Sequence, residues 1–545
     1  MKAALGIEES ALAPNDLMKA ILKSPVDLFF NGGIGTYVKS THETHFDVGD
    51  RANEFLRING DELRCKAVGE GGNLGFTQLG RIEYALNGGL INTDFIDNSA
   101  GVDCSDHEVN LKILLDKEIF EGQLAEKDRN PLLTTMTDEV AKTVLSDNYN
   151  QALVMSYAAL NISHQVGLLQ SLIRELETVG GLDRAVEFLP DDKKLMERKA
   201  SNQGLTRPEL AVLLAYSKIY IKQEILKTDL DKDPYLNQIV STAFPPSLKK
   251  NYNKAMQNHP LRREIIATQL SNQIVNEMGF TFAHRMEIET GASVGDIIRA
   301  FIIASTVFNS AEIQRLIDSL SFKIPITLQY ELLYDVRRLI LLATRWFLHE
   351  SRSKGDLAAI IKHYSENINK LRDVVPVLMT GATKDFLAAL TEQFIKAGLT
   401  EDLARQIAAC RALYITLNIT EVATENKFEL MKAAEVYFAV GRQFGLVNFR
   451  DQIASDKREG YWNARARLTL REELDVLQKL LTVVVIKVNQ KENDVEALLK
   501  QWTDLHKGAV ERWNKILEML NSSSISDYTI FFITLREFMN LAHMP

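Results

Sequence analysis

Cysteine is nearly absent: three in 545 residues, Cys65, Cys104 and Cys410. An odd, sparse set builds no disulfide framework and no paired-cysteine metal site, and it points to a reducing cytoplasm. Long apolar runs are missing too. The longest candidate, "LLTVVVIKV", falls far short of the roughly 20 residues that span a bilayer, so it reads as core and no membrane is expected. A basic surplus is also lacking. The net charge of −9 argues against nucleic acid as main partner, which needs a basic face. The start, "MKAALGIEES", has no basic-then-apolar leader pattern. No fixed-period repeat is present, which argues against a peptide-binding solenoid.

Glycine is scarce over most of the chain. Of 29 glycines, 14 lie in residues 1–101 and 15 in the remaining 444. Tight and positive-φ turns are therefore concentrated at the start. There the pattern alternates. "VDLFF" (26–30), "LRCKAV" (63–68) and "INTDFI" (91–96) read as strands. "DVGDRANEFLRI" (47–58) reads as a helix capped by Asp47, and Thr77 caps another that stops at "NGG" (87–89). A further helix is expected from about Ser105. Strands alternating with helices imply part of a doubly wound parallel, Rossmann-like sheet. From residue 111 on, helix follows helix. "TRPELAVLLAYSKIYIKQEIL" (206–226) carries a Thr206–Glu209 capping box with Pro208 in its first turn, and Leu210, Leu213, Leu214 and Ile219 on one side. The expected class is mainly α. Its expected parts are an incomplete nucleotide-binding α/β segment (1–110), helices packing on it (111–240) and an all-helical domain (241–545), with a proline cluster at 234–246 near the last boundary.

Ligands of parallel α/β sheets bind beyond the carboxyl ends of the strands. Three loops there are rich in Gly, Asn and Ser: "NGGIGT" (31–36), "GEGGNLG" (69–75) and "DNSAGVDCS" (97–105). Asparagine amides offer one acceptor and two donors, suited to an amide or a ribose. Any single loop is as well explained as a turn; the co-located set favours binding. His42 and His45 in "STHETH" lack the spacing of a zinc helix, and no metal is expected. Cys104 beside Ser105 and His107 has no third group to orient a base, so no nucleophile is assigned and the catalytic residues stay unknown.

Residues 25–115 resemble the end of the cofactor domain of glutamate dehydrogenases. "GEGGNLGFTQLG" is similar to the family's Glu-Gly-Ala-Asn segment, matching at Asn73 and Thr77. "NSAGVDCSDHE" is similar to its Asn-Ala-Gly-Gly-Val-x-x-Ser-x-x-Glu segment, matching at Asn98, Gly101, Val102, Ser105 and Glu108, with Ser99 and Ala100 departing from it. The longer wording "FFNGGIGTYVKS" through "GEGGNLG" is closer still to the very large NAD-specific bacterial branch, and the likeness continues more loosely through "RPELAVLLAYSKIY".

The resemblance implies oxidative deamination of L-glutamate to 2-oxoglutarate and ammonia, with NAD as cofactor. It implies that Asn98 meets the nicotinamide side and Asn73 the nicotinamide ribose. Asn31, Gly32 and Gly33 would pass close to the nicotinamide, and Ser105 would bind the substrate's side-chain carboxylate. The family's catalytic lysine and aspartate belong to a preceding substrate domain with no counterpart in residues 1–30. The chain is therefore expected to be the C-terminal portion of a longer polypeptide, inactive without the missing N-terminal part, and a homo-oligomer. The alternative expectation is a helical assembly or regulatory module with a residual α/β stub and no chemistry.

Overall fold

The computed structural model describes residues 5–9, 11–160, 162–349, 352–456, 458, 461–522 and 527–544. Helix accounts for 72% and strand for 3%, so the chain is mainly α. Two compact units divide it, residues 1–301 and 302–545.

In the first unit the strands are β1 (Leu28–Asn31), β2 (Val38–Lys39), β3 (Ile58–Asn59) and β4 (Ala67–Glu70). They form two separate two-stranded parallel sheets, β1 with β4 and β2 with β3. The expected doubly wound sheet is thus corrected. The first two expected strands are present but displaced toward their carboxyl ends, 26–30 to Leu28–Asn31 and 63–68 to Ala67–Glu70, and they pair in parallel, Leu28 opposite Ala67 and Asn31 opposite Glu70. The third, 91–96, is not a strand. Only Leu90 bridges Ala67, again in parallel. The chain then winds into a helical turn, α2 (Asp94–Asp97). "INTDFI" satisfies a period of two, but Asp94 and Asp97 stand three apart on one helical face, where their carboxylates are used.

The helix expected over 47–58 is also corrected. His45–Val48 is a single turn boxed by Thr44, with Asp47 as its third residue and not its cap, and Gly49 at φ +76° ends it. A 3-10 turn, Arg51–Asn53, follows, and Ile58 enters β3 fully buried. By contrast α1 (Gln78–Leu86) begins where Thr77 Oγ1 accepts the Gly80 N–H at 3.0 Å. The helix expected from Ser105 starts earlier: α3 spans Ser99–Phe120, so Ser105 is interior to it.

Three further helices complete the site region: α4 (Thr137–Ala159), α5 (Arg207–Leu226) and α6 (Arg262–Met278). The expected box at the start of α5 forms. Glu209 Oε2 accepts the Thr206 N–H at 2.6 Å and pairs with Arg198 at 2.7 Å, which allows Glu209 to be wholly buried. The helix is not one-sided, however. It packs against α1, α4 and α6, burying Leu210 to Leu214, Tyr220, Ile221 and Ile225, while Ile219 is 47% exposed. A helix enclosed by neighbours needs apolar residues all round.

The second unit is all helical among its described residues. Its core gathers Tyr437, Phe444, Trp502 and Trp513 with the inner face of a long helix, Tyr461–Val488, which contains the "LLTVVVIKV" segment. Among the described residues no single helix is long and apolar enough to cross a membrane.

Candidate functional site

The end of β4 is fastened by carboxylates. Glu70 is fully buried, and Arg81 of α1 meets it twice, Nε to Oε2 at 2.7 Å and Nη2 to Oε1 at 3.0 Å. Burial holds the Glu70 carboxyl above its ordinary range, against the pull of Arg81. From α2, Asp97 accepts the Glu70 N–H at 3.0 Å and the Asn92 amide at 2.7 Å. Asp94 accepts the Leu74 N–H at 2.8 Å and pairs with Arg81 at 3.1 Å. These bonds hold Leu74 in the left-handed region, φ +59°, unusual for a side chain of its size. The turn at 94–97 therefore anchors the loop after β4.

That loop lies directly against the one after β1. A Cβ on Gly72 would meet the Gly33 carbonyl oxygen at 2.6 Å, and one on Gly75 would meet Asn31 Nδ2 at 1.8 Å. Only glycine permits both approaches. Asn31 is 6% exposed, and its Nδ2 has no hydrogen-bond partner among the described residues. Gly32 and Gly33 are exposed.

A cleft of about 620 Å³ opens beside these loops, walled by α2 to α6. Asn98 Nδ2 donates to Asn73 Oδ1 at 2.7 Å on its edge, so two segments singled out in the sequence meet there, the second of them, 97–105, being the junction of α2 with α3 and not a loop. Ser99, Val102, Asp103 and Asp106 of α3 line it, with Asp147 and Gln151 of α4, Lys218 of α5, and Asn272 and Asn276 of α6. Ser105 is exposed on α3 and is not among the lining residues; nor are Asn31, at the end of β1, and Gly32 and Gly33 in the loop after it.

The cleft gathers Asp103, Asp147 and Lys218, which the sequence does not single out, beside His107, weighed there only as a base for Cys104. One ligand atom each of Asp103, His107 and Asp147 lies within 4.8 Å of the others. His107 Nε2 is 3.7 Å from Asp103. Burial, then the Asp103 charge, pushes the Asp147 carboxyl up to about 6. Burial lowers the Lys218 ammonium to about 8, against the attraction of Asp147 and Asp103. Lys218 is thus the cation that these carboxylates face. The available signals were the i,i+4 spacing of Asp103 and His107 and a lysine inside the apolar "LLAYSKIY". Neither says that α3, α4 and α5 converge.

His45, set aside as a ligand, lies 3.1 Å from Arg57 Nη1 through Nδ1, and Cys104 is an exposed free thiol.

Two family models match the chain. "Bacterial NAD-glutamate dehydrogenase, catalytic domain" covers residues 1–158, and "Glutamate dehydrogenase, C-terminal" covers 202–540. Similar curated proteins are the NAD-specific glutamate dehydrogenases of Pseudomonas aeruginosa (44% identity over 99% of this chain), Halomonas elongata (41%, 99%) and Mycobacterium tuberculosis (35%, 98%). The chain spans about a third of their length: 34%, 34% and 33%. The likeness to those relatives runs through both compact units, and on the model that covers residues 202–540 the chain belongs to the glutamate dehydrogenase family.

Proposed function

We propose that the chain is part of an NAD-dependent glutamate dehydrogenase that converts L-glutamate to 2-oxoglutarate and ammonia. The carrying observation is the Asn73–Asn98 hydrogen bond at the rim of a cleft that also holds Lys218, Asp103 and Asp147. The donor set fits NAD. The pair uses one amide hydrogen of Asn98 and the carbonyl of Asn73, leaving the Asn98 carbonyl and the Asn73 amino group for a carboxamide and ribose hydroxyls. The loop contact between Gly33 and Gly72 keeps side chains off the surface beside that rim. When bound, NAD supplies an acceptor for the hydride leaving the substrate's α-carbon.

Within this reading Asn98 and Asn73 orient the nicotinamide end, with Asn31, Gly32 and Gly33 forming the adjoining wall. Lys218 offers the positive charge that a glutamate carboxylate requires, in a partly buried position where a charge-assisted bond is strong. Asp147 and Asp103 attract that ammonium without pairing with it directly. Ser105, assigned by resemblance to the same carboxylate, stands on the exposed side of α3 as a second candidate. A substrate domain bearing the catalytic lysine and aspartate has to join the cleft. Residues 1–110 then form the remaining part of the cofactor domain, 111–240 its helical backing and 241–545 a separate helical domain, in a cytoplasmic homo-oligomer. On β1, Leu28 is 59% and Phe30 64% exposed, an apolar strand face that suits further covering by such a domain.

Calorimetric titration of the 545-residue chain with NAD tests the reading. Binding that weakens on Asn98→Ala supports it. No NAD binding, either by this chain or by this chain joined to a substrate domain, leaves the helical assembly module as the better account.

A further inference from the structure

The second unit contains a cavity of about 480 Å³, within the usual range for small-molecule sites. Its walls come from the helices Ile326–Leu348, Leu430–Gln443, Leu446–Ser455 and Tyr461–Val488 and from the segments 378–387 and 411–415. Five arginines line it against three aspartates. Two of the aspartates are already engaged. Arg411 Nε donates to both Asp335 oxygens at 2.9 Å, and Arg450 Nη2 meets Asp475 at 2.7 Å and Gln478 at 2.5 Å. Arg442 pairs with Glu496 at 3.4 Å.

Arg338 and Arg471 remain. Both are half-buried, they come from different helices, and neither makes a hydrogen bond or ion pair with a described residue. Burial, then the charge of Arg471, holds the Arg338 guanidinium below its ordinary range. Two guanidinium groups sharing a partly desolvated cavity repel each other, and the attraction of Tyr334 and Asp335 offsets burial and that repulsion only in part, so an anion between them would be favoured. The wall also carries apolar and aromatic side chains, Leu342, Phe386 and Phe438, beside the polar Thr380, Thr383 and Asp451.

We propose that this cavity binds a small organic oxyanion, a carboxylate or phosphate on an apolar or aromatic body, between Arg338 and Arg471. The planar guanidinium fork suits either group, since each presents paired oxygens. The apolar wall receives the body of the ligand, and the satisfied Arg411–Asp335 and Arg450–Asp475 pairs fix the cavity's shape. The site is independent of the cleft in the first unit, whose cation is Lys218.

Calorimetric titration of the 545-residue chain with phenyl phosphate and with benzoate tests this, with phenol as the uncharged control. At least one of the two anions is expected to bind and phenol is not; whichever binds tighter identifies the headgroup. Arg338→Met and Arg471→Met, each alone, should weaken that binding by about tenfold or more. Their melting temperatures should stay level or rise, because neither change leaves a carboxylate unpaired. Lys218→Met should leave the affinity unchanged. The proposal is overturned if neither anion binds, if both arginine variants bind as the parent does, or if Lys218→Met abolishes binding.

Discussion

Arg81 closes on Glu70 through two nitrogens, at 2.7 and 3.0 Å, in the interior beneath the loop that ends in Leu74. The same guanidinium reaches Asp94 at 3.1 Å. One side chain therefore ties β4, α1 and α2 together. Arg81→Leu strips a fully buried carboxylate of its partner, which costs about 3–5 kcal/mol. Urea denaturation should show that loss, and the double variant with Glu70→Leu should recover much of it. A loss below about 1 kcal/mol in the single variant would show that the pair holds nothing.

Asn98→Ala removes one neutral hydrogen-bonding group from the cleft rim proposed to hold NAD. A neutral bond contributes about 0.5–1.5 kcal/mol, so the dissociation constant for NAD should rise by roughly two- to tenfold. The KM for glutamate in the full-length enzyme should move less. A variant that loses glutamate but keeps NAD would reverse the assignment.

Lys218→Met and Ser105→Ala separate the two candidate ligands of the substrate carboxylate. A charge-assisted bond contributes about 1.5–3 kcal/mol, so losing the true ligand should raise the KM for glutamate by about 10- to 100-fold. The geometry favours Lys218, which lines the cleft, over exposed Ser105. Ser105 lies inside α3 and caps nothing, so Ser105→Ala should shift stability by less than about 0.5 kcal/mol. Steady-state kinetics of both variants in the full-length enzyme decide between them.

Asp147 predicts a pH dependence of stability. Its carboxyl titrates near 6 in the folded chain against 3.8 as the ordinary value. Between those values the folded state holds a proton that the unfolded state has released, so this group's contribution falls as pH rises from 3.8 to about 6. Lys218, lowered from 10.5 to about 8, acts in the opposite direction: its penalty is complete below pH 8 and is relieved as pH rises from about 8 to 10.5. Asp147→Asn should flatten the acid-side slope in melting-temperature profiles. An unchanged slope would show that Asp147 ionises normally.

Gly75→Ala should destabilise the first unit, because the new methyl meets Asn31 Nδ2 at 1.8 Å. The loss should shrink in an Asn31→Ala background, since the two positions share one space. Additive losses would mean that the strain lies in the backbone of the loop.

Local chemistry was legible in the sequence. The Thr77 cap and the Thr206–Glu209 box are where the residues place them, because a cap is decided by neighbours three positions away. The parallel pairing of β1 with β4 also followed from short apolar runs beside glycine turns. The Asn73–Asn98 meeting was approachable because the sequence groups both Asn-rich segments at one ligand edge, although Asn98 follows a helical turn and not a strand. Tertiary structure decided the remainder. Residues 91–96 carry a strand-compatible pattern, yet Asp94 and Asp97 turn the chain helical to accept the N–H groups of Leu74 and Glu70, bonds to residues some 20 to 27 positions away. The 47–58 segment has a helical apolar pattern, yet Gly49 breaks it and Ile58 finds β2. Asp103, Asp147 and Lys218 belong to three helices, and Arg338 and Arg471 to two others; each reads alone as an ordinary charge on a helix. Periodicity reports which face of a helix is buried. It carries no information about which other helix that face meets, because that is settled by packing the whole set of apolar faces at once.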